Sequence, residues 1–455
     1  MNYTLTILEK HYNQLIDSIY SKPGLEGAAY LLCGESLTTG ELRILVNEVV
    51  PVEIKDYLER KEKDLLISSS SYTKIAKKAR INNQSIIFVH SHLDKDSSFS
   101  SQDNVEEAKL QKFFKDRIPS KTNGALVFNT KYSFSGRVWV DKKYQVIRRV
   151  RIIGQQFKFI DLEDKEKIII PEFFARQVLV FGPEMQSALG RLHIGIVGAG
   201  GTGSAVAEQL TRLGIGELSI FDGDKFENSN ISRLYGSNIT QKGQNKAKIV
   251  ARNIRRIGLR TRMHVYQKNI NNKLVAKNLR KCDLIFGCTD KEWPRAALTQ
   301  LGIRYLIPLI DLGVSINSNN GIIQDIIGRI TTFFPGEACL FCRKRIDSRR
   351  IQLETLSLDE RKSLAIQHYA PELETDDPAV ITFTTTVASQ AINEFLQRLT
   401  MFMSEVRFSS EVLIQFNQTR IRTNRNDVSK DCLCQNIKNW GKGDSRDYLG
   451  MTWTR

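Results

Sequence analysis

Three side chains suited to hold a metal fall in one short stretch: His90, His92 and Asp103, in a chain with only six histidines. Written out, the segment is H-x-H, seven residues, Ser100, two residues, Asp103. Two imidazoles and one carboxylate fill three positions of a tetrahedral zinc and leave the fourth for water. Zinc lowers the pKa of such a water from roughly 15.7 to roughly 7. Hydroxide is then available at neutral pH, so the chemistry implied is hydrolysis.

The neighbouring elements must bring these ligands together. Residues 85–89 (S-I-I-F-V) read as a buried strand ending at the histidine pair, and Ser101–Arg117 reads as a helix with Asp103 in its first turn. Two positions apart at a strand end, His90 and His92 project the same way. The segment resembles the JAMM/MPN metalloprotease family, which removes ubiquitin and ubiquitin-like proteins, over about residues 1–145. The resemblance implies that His90, His92 and Asp103 bind zinc, that Ser100 steadies the tetrahedral oxyanion, and that an upstream Glu is the general base. Glu26, just before the apolar stretch 27–32, stands where that Glu should be, with Glu35 as the second candidate. The family often has Pro after the second histidine. Leu93 stands there in this chain, which touches loop shape rather than ligation.

A separate constellation occupies the second half. The apolar run 191–197 leads into Gly198-Ala199-Gly200-Gly201-Thr202-Gly203 and then a helix over 204–213. Strand, glycine turn and helix start let the backbone approach a phosphate, with free N–H groups and the positive helix end facing it. Alone, the motif suits a nicotinamide dehydrogenase as well as an ATP enzyme. A second strand, 218–221, ends at Asp222, about where an acid would hold a ribose hydroxyl. Asp224, Asn230, Arg233 and Lys246 follow, and a third strand, 283–286, ends at Cys288-Thr289-Asp290. Cations near a phosphate site neutralise a triphosphate, and a carboxylate there can hold magnesium. A dehydrogenase needs neither.

Residues from about 171 to 425 therefore resemble the ThiF-like adenylating enzymes, which include ubiquitin-activating enzymes and activators of sulfur carriers. The resemblance implies a phosphate loop of Gly198, Gly200, Gly201 and Gly203. It also implies that Asp222 binds ribose, that Asn230, Arg233 and Lys246 bind the phosphates, and that Asp290 holds magnesium. Asp224 either positions the following loop or touches ligand. Arg176, in the F-A-R-Q stretch 174–177, looks like the arginine that reaches the ATP of the partner subunit in a dimer. The reaction implied joins the C-terminal carboxylate of a ubiquitin-like protein to the α-phosphate of ATP and releases pyrophosphate.

The seven cysteines include two close pairs, Cys339-x-x-Cys342 and Cys432-x-Cys434. Four thiolates from two knuckles read as a closed structural zinc site. ThiF-like enzymes usually build theirs from two C-x-x-C pairs, so the C-x-C is a departure. Cys33, Cys282 and Cys288 read as strand-associated, buried cysteines. Ubiquitin-activating enzymes pass the acyl group to a cysteine, usually in the crossover after the first zinc pair. Between Cys342 and the apolar helix near 387–399, including 369–378, there is none. The enzyme then only adenylates, or Cys288 beside Asp290 serves. The odd cysteine count, with no signal peptide or apolar run of membrane length, leads us to expect a cytoplasmic protein.

At 455 residues, two domains are expected. We expect an α/β JAMM/MPN domain over 1–150, a linker over 151–170, a Rossmann-like ThiF-type adenylating domain with a four-cysteine zinc site over 171–435, and a polar tail over 436–455. The net charge of +16 concentrates in 241–282, which carries no Asp or Glu. We read it as a solvated basic face, part of it serving the triphosphate, because no nucleic-acid motif accompanies it. The pairing resembles bacterial ubiquitin-like pathways, some of which act in phage defence. It implies zinc, ATP and magnesium, a ubiquitin-like partner, a conjugating enzyme and a homodimer. Two other readings stay open: activation of a sulfur carrier, with the peptidase exposing its terminus, and a catalytically inactive scaffold.

Overall fold

Apolar runs in the N-terminal part pair into one eight-stranded sheet. The structure, a computed structural model, describes residues 1–141, 143–162, 170–356, 360, 378–403, 410–444, 449, 451 and 453. These fall into two compact units. The first contains β1 (Asn2–Leu8), α1 (Glu9–Ile19), β2 (Ala28–Thr38), β3 (Glu41–Pro51) and a hairpin of β4 (Tyr57–Arg60) and β5 (Leu65–Ile67). It continues with α2 (Ser69–Asn82), β6 (Ser85–Ser91), α3 (Ser101–Arg117), β7 (Asn123–Phe128), β8 (Phe134–Val140), β9 (Lys143–Ile153) and β10 (Phe157–Asp161). The order is β1-β3-β2-β6-β7-β8-β9-β10, and β1 also pairs in parallel with β9, so the sheet returns on itself. Successive residues of β2 feed opposite cores, as strand alternation requires. Ala29, Leu31 and Cys33 pack with Leu15 and Val89, while Ala28, Tyr30 and Leu32 pack with Ala79 and Phe114.

Two boundary expectations need correction. The stretch 151–170 is not a linker throughout, because β9 runs to Ile153 and β10 ends at Asp161. Arg151 of β9 pairs with Glu41 at 3.0 Å, and Asp161 of β10 pairs with Arg149 at 2.5 Å. Residues 163–169 lie outside the described residues. Nor is 436–444 a loose tail. Trp440 is buried, the Asn47 amide donates to its carbonyl, and Asp444 accepts from the Leu37 N–H. A Cβ on Gly34 would sit 2.1 Å from the Gly441 carbonyl, so this backbone approach needs glycine.

The second unit begins with α4 (Ala175–Gly190), bent at Gly182 and Pro183, and β11 (His193–Val197). There follow α5 (Gly201–Leu213), β12 (Glu217–Phe221), α6 (Lys246–Ile257), β13 (Arg262–Tyr266), α7 (Lys273–Ala276), β14 (Leu284–Gly287) and α8 (Glu292–Tyr305). Next come β15 (Leu309–Asn319), β16 (Ile322–Phe333), α9 (Ser348–Thr355), α10 (Ile381–Thr400), β17 (Glu411–Gln415) and β18 (Arg420–Asn424). The sheet order is β13-β12-β11-β14-β15-β16-β17-β18, parallel as far as β15 and antiparallel beyond. The parallel strands thus run 3-2-1-4-5, a doubly wound, Rossmann-like order that reverses between β11 and β14. Residues 369–377 of the expected crossover lie outside the described residues. No described helix is long and apolar enough to cross a membrane.

One buried ion pair ties α3 to the first sheet. Arg137 of β8 meets Glu107 at 2.7 Å, with both side chains 4% exposed. Arg137 also donates to Asn104, and the Trp139 indole donates to Glu107. Removing one partner strands a charge in the interior, which costs about 3–5 kcal/mol. Glu107→Ala should therefore lose about that much in urea unfolding, whereas Glu107→Met/Arg137→Leu should recover most of it. A loss under about 1 kcal/mol, the range of an exposed pair, would contradict this account.

Candidate functional site

In an open parallel sheet, ligands bind outside the carboxyl ends of the strands where the order reverses. A cavity of about 790 Å³ opens there, lined by Val197 and Phe221 at the ends of β11 and β12, by Cys288, Thr289 and Asp290 just after β14, and by residues 312–316 of β15. Gly198 adopts φ +95°, and a Cβ on it would lie 2.4 Å from the Cys288 carbonyl oxygen. Only glycine allows the turn to cross the end of β14 so closely. α5 then starts at Gly201, after Gly200 at its N-cap and with no side chain capping it, so its first N–H groups are open to an anion.

Gly198, Gly200, Gly201, Asp222, Asp224, Arg233, Lys246 and Asp290 all line this cavity. Asp222 accepts from the N–H groups of Ala199 and Asp224, so it braces the glycine turn, and burial pushes its carboxyl up. Lys246 opens α6 and its Nζ lies 3.1 Å from Asp224. Arg233 donates to the Ser229 carbonyl. Asp290 is exposed at the helix-side end of β14, where a hydrated cation can reach it.

Two sequence assignments change. Gly203 does not line the cavity: it lies inside α5, where a Cβ would fall 1.8 Å from the Gly198 carbonyl oxygen. Its role is close packing of helix on turn. Asn230 is buried and closes a short turn by accepting from the Glu227 N–H, rather than lining the cavity. Arg176 is exposed on α4 and also lies outside the lining. Sequence reasoning missed the far wall. Arg295, Arg329, Arg345, Arg350 and Arg422 line it, and the fully buried Asp311 meets Arg329 at 2.7 Å and Arg295 at 3.5 Å.

Cys288 also lines the cavity, but burial pushes its thiol well up and the Asp311 charge adds to that. A thiol held protonated is a poor nucleophile. Burial likewise holds Cys33 up, and Cys282 is fully buried. The other four cysteines converge. Cys339 Sγ lies 3.7 Å from Cys342 and 3.5 Å from Cys432, and Cys342 lies 3.5 Å from Cys434. These separations far exceed a disulfide bond. They approach the edge of about 3.8 Å expected of four sulfurs set about 2.3 Å from a tetrahedral zinc. The cluster therefore fits a zinc ion.

In the first unit, strand register decides which side chains meet. Ala28 of β2 pairs with His90 of β6, so Glu26 lies beside the histidines, while Cys33 pairs with Ser85 at the other end. Glu35 accepts from Ser85 and from the Thr122 N–H at that far end, so the second candidate is a structural carboxylate. His90 Nε2 lies 3.2 Å from Asp103 and 3.3 Å from His92 Nε2, and His92 lies 3.3 Å from Asp103. A tetrahedral metal with bonds of about 2.0 Å has edges of about 3.3 Å, so this triangle fits zinc.

The same helix start fixes the third corner. Ser100 caps α3 by accepting from the Asp103 N–H, and Asp103 accepts from the Ser100 N–H. Ser100 is exposed, and its hydroxyl proton is not used by that cap, so it can be donated. Burial works against the Asp103 carboxylate, yet the two imidazoles hold its carboxyl well below the usual range. Burial pushes Glu26 up to about 7, with His92 opposing. A carboxyl tuned near neutrality suits proton transfer.

Comparison with known proteins bears on the second unit. The chain is 31% identical over 173 residues to ubiquitin-like modifier-activating enzyme 5 of Drosophila virilis, covering 35% of this chain and 43% of that protein. The Rattus norvegicus enzyme of the same name is 33% identical over 166 residues, covering 33% of this chain and 38% of that one. The chain thus spans less than half the length of these relatives. A solved structure of E. coli MccB with MccA-N7isoASN superposes at TM-score 0.48 and 18% identity, over 58% of this chain and 75% of that one. The model of the ThiF family matches residues 174–436, more than half of the sequence, and the chain belongs to the ThiF family.

Proposed function

We propose that the chain is an ATP-dependent adenylyltransferase for a ubiquitin-like protein. The observation that supports this most is the meeting of an uncapped helix start, Arg233, Lys246 and Asp290 in one cavity at the reversal of the sheet. The carrier's C-terminal carboxylate oxygen forms a bond to the α-phosphorus of ATP. The bond from that phosphorus to the bridging oxygen breaks, and pyrophosphate leaves with the electron pair. The α5 N–H groups and the two cations face the charge that grows on the phosphates. Magnesium, held by Asp290, would neutralise charge on the departing pyrophosphate. Arg176, exposed on α4 near the uncovered Leu179 and Val180, would reach a partner subunit's ATP in a homodimer.

Cys33 and Cys282 are buried and the Cys288 thiol is held protonated, so none is a good acceptor for a thioester. This favours a second reading, in which the carrier is a sulfur carrier and its adenylate is passed on directly. A conjugating enzyme receiving the acyl group belongs to the first reading only. In either case we propose that the first unit is a zinc peptidase that trims or releases the same carrier. Zinc held by His90, His92 and Asp103 would supply a water acidic enough to attack at neutral pH. Glu26 would take the proton, and Ser100 would donate to the developing oxyanion.

With magnesium and the cognate carrier, the enzyme should exchange radiolabelled pyrophosphate into ATP. Arg233→Ala and Lys246→Ala should each slow exchange about 10²–10³-fold, the usual cost of losing one donor that faces transition-state charge. Unchanged exchange in both would contradict the reading, and no exchange with any carrier would favour an inactive scaffold. His92→Ala should abolish cleavage after the carrier's terminal glycine and leave exchange intact. Full cleavage by that variant would remove the peptidase. Cys339→Ser/Cys342→Ser should lose one zinc per chain by elemental analysis. It should also fold poorly, since such sites contribute about 10–16 kcal/mol of apparent binding energy. A stable variant with unchanged zinc would show that the cysteines are not ligands.

A further inference from the structure

The parallel strands of the second unit carry chemistry at their other ends too. β11, β12 and β13 pair so that His193 lies beside Glu217, Glu217 beside Arg262, and Ser219 beside His264. Side chains two apart on a strand share a face. His193, Glu217, Ser219, Arg262 and His264 therefore gather on one face at the amino ends of these strands, while the nucleotide cavity lies at the carboxyl ends.

Their contacts have the form of a built ligand set. His264 Nε2 lies 2.9 Å from Glu217 Oε2, and His193 Nδ1 lies 3.9 Å from the same oxygen. All three ligand atoms fall within 4.8 Å of one another. For bonds of about 2.0–2.1 Å, tetrahedral edges are about 3.3 Å, and the two measured separations straddle that value. The outer atoms are held as well. His193 Nε2 is 2.8 Å from Ser219 Oγ, which fixes the ring with Nδ1 toward the carboxylate. Arg262 donates to Glu217 Oε1 and leaves Oε2 for the centre. Metal-binding histidines and carboxylates are typically oriented by such outer partners. Side-chain exposures of 15% for His193, 32% for Glu217 and 37% for His264 let an ion enter and a water complete its shell.

We infer that His193 Nδ1, Glu217 Oε2 and His264 Nε2 form a third divalent-metal site, suited by its two imidazoles and one carboxylate to zinc. The ion bridges three adjacent strands, so it braces the amino edge of the nucleotide-binding sheet without touching the cavity. The inference stands apart from the adenylation and peptidase readings.

The test uses the full chain carrying His92→Ala, with its cysteine-bound metal retained, and zinc alone as the probe. After equilibration and gel filtration, this parent should hold one more zinc per chain than the same chain with His264→Ala, His193→Gln or Glu217→Gln. Zinc should raise the Tm of the parent and not of these variants. If a variant fails to fold, the parent itself still decides. Zinc should protect His193 and His264 from carboxyethylation by diethyl pyrocarbonate, read by mass spectrometry. Equal zinc content in folded parent and variants would overturn the inference, as would undiminished modification of both histidines in saturating zinc. A Glu217–His264 pair that is only an ion pair would lower Tm equally with and without zinc, and that result would overturn it too.

Discussion

The second unit depends on a backbone approach that only glycine permits. The turn after β11 must cross the end of β14, and α5 must then pack down on that turn. Gly198 meets the first demand at the Cys288 carbonyl, and Gly203 meets the second at the carbonyl of Gly198. A methyl group at either position would push the helix start away from the strand ends. The free N–H groups of α5 would then no longer open on the cavity, and Asp222 would lose the Ala199 N–H that it braces. Arg233 and Lys246 come from the stretch between β12 and the start of α6, and Asp290 from the connection after β14. The glycine contacts set the start of α5 against the strand ends where these three side chains meet.

The first unit solves the same positioning problem with register and a helix cap. The β2–β6 pairing sets Glu26 beside the histidines. The reciprocal Ser100–Asp103 cap aims the carboxylate. The buried Glu107–Arg137 pair, one turn further along α3, holds the helix to β8, and Arg137 also stacks on Phe99, whose ring contacts His90. One helix start therefore carries the proposed ligand Asp103, the exposed Ser100 hydroxyl and the means of fixing both.

Legibility in the sequence tracked how local each feature is. The bounds of α3, the histidine spacing, the glycine turn and the cysteine pairs are short-range signals, and the structure brings each group together. Features that depend on register were not readable. Glu26 precedes β2 and Glu35 lies within it, and the pairing of β2 with β6 sets their different surroundings. The arginines of the far cavity wall come from α8, β16, β18 and the stretch around α9, with no motif linking them. His193, Glu217 and His264 meet only because three parallel strands align. The expected linker 151–170 overlaps the end of β9, because only the fold shows that Arg151 is buried against Glu41 of β3. Asn230 and Gly203 stand in the motif string yet serve the fold, which spacing alone cannot distinguish from contact with ligand.

The central claim is that the cavity at the sheet reversal is an ATP site. A crystal structure of the full chain with ATP and magnesium tests it most directly. The triphosphate should lie over the turn 198–201 at the start of α5, between Arg233 and Lys246, with the metal facing Asp290. Nucleotide bound elsewhere, or this cavity occupied while Arg233, Lys246 and Asp290 all point away from the phosphates, would contradict the account.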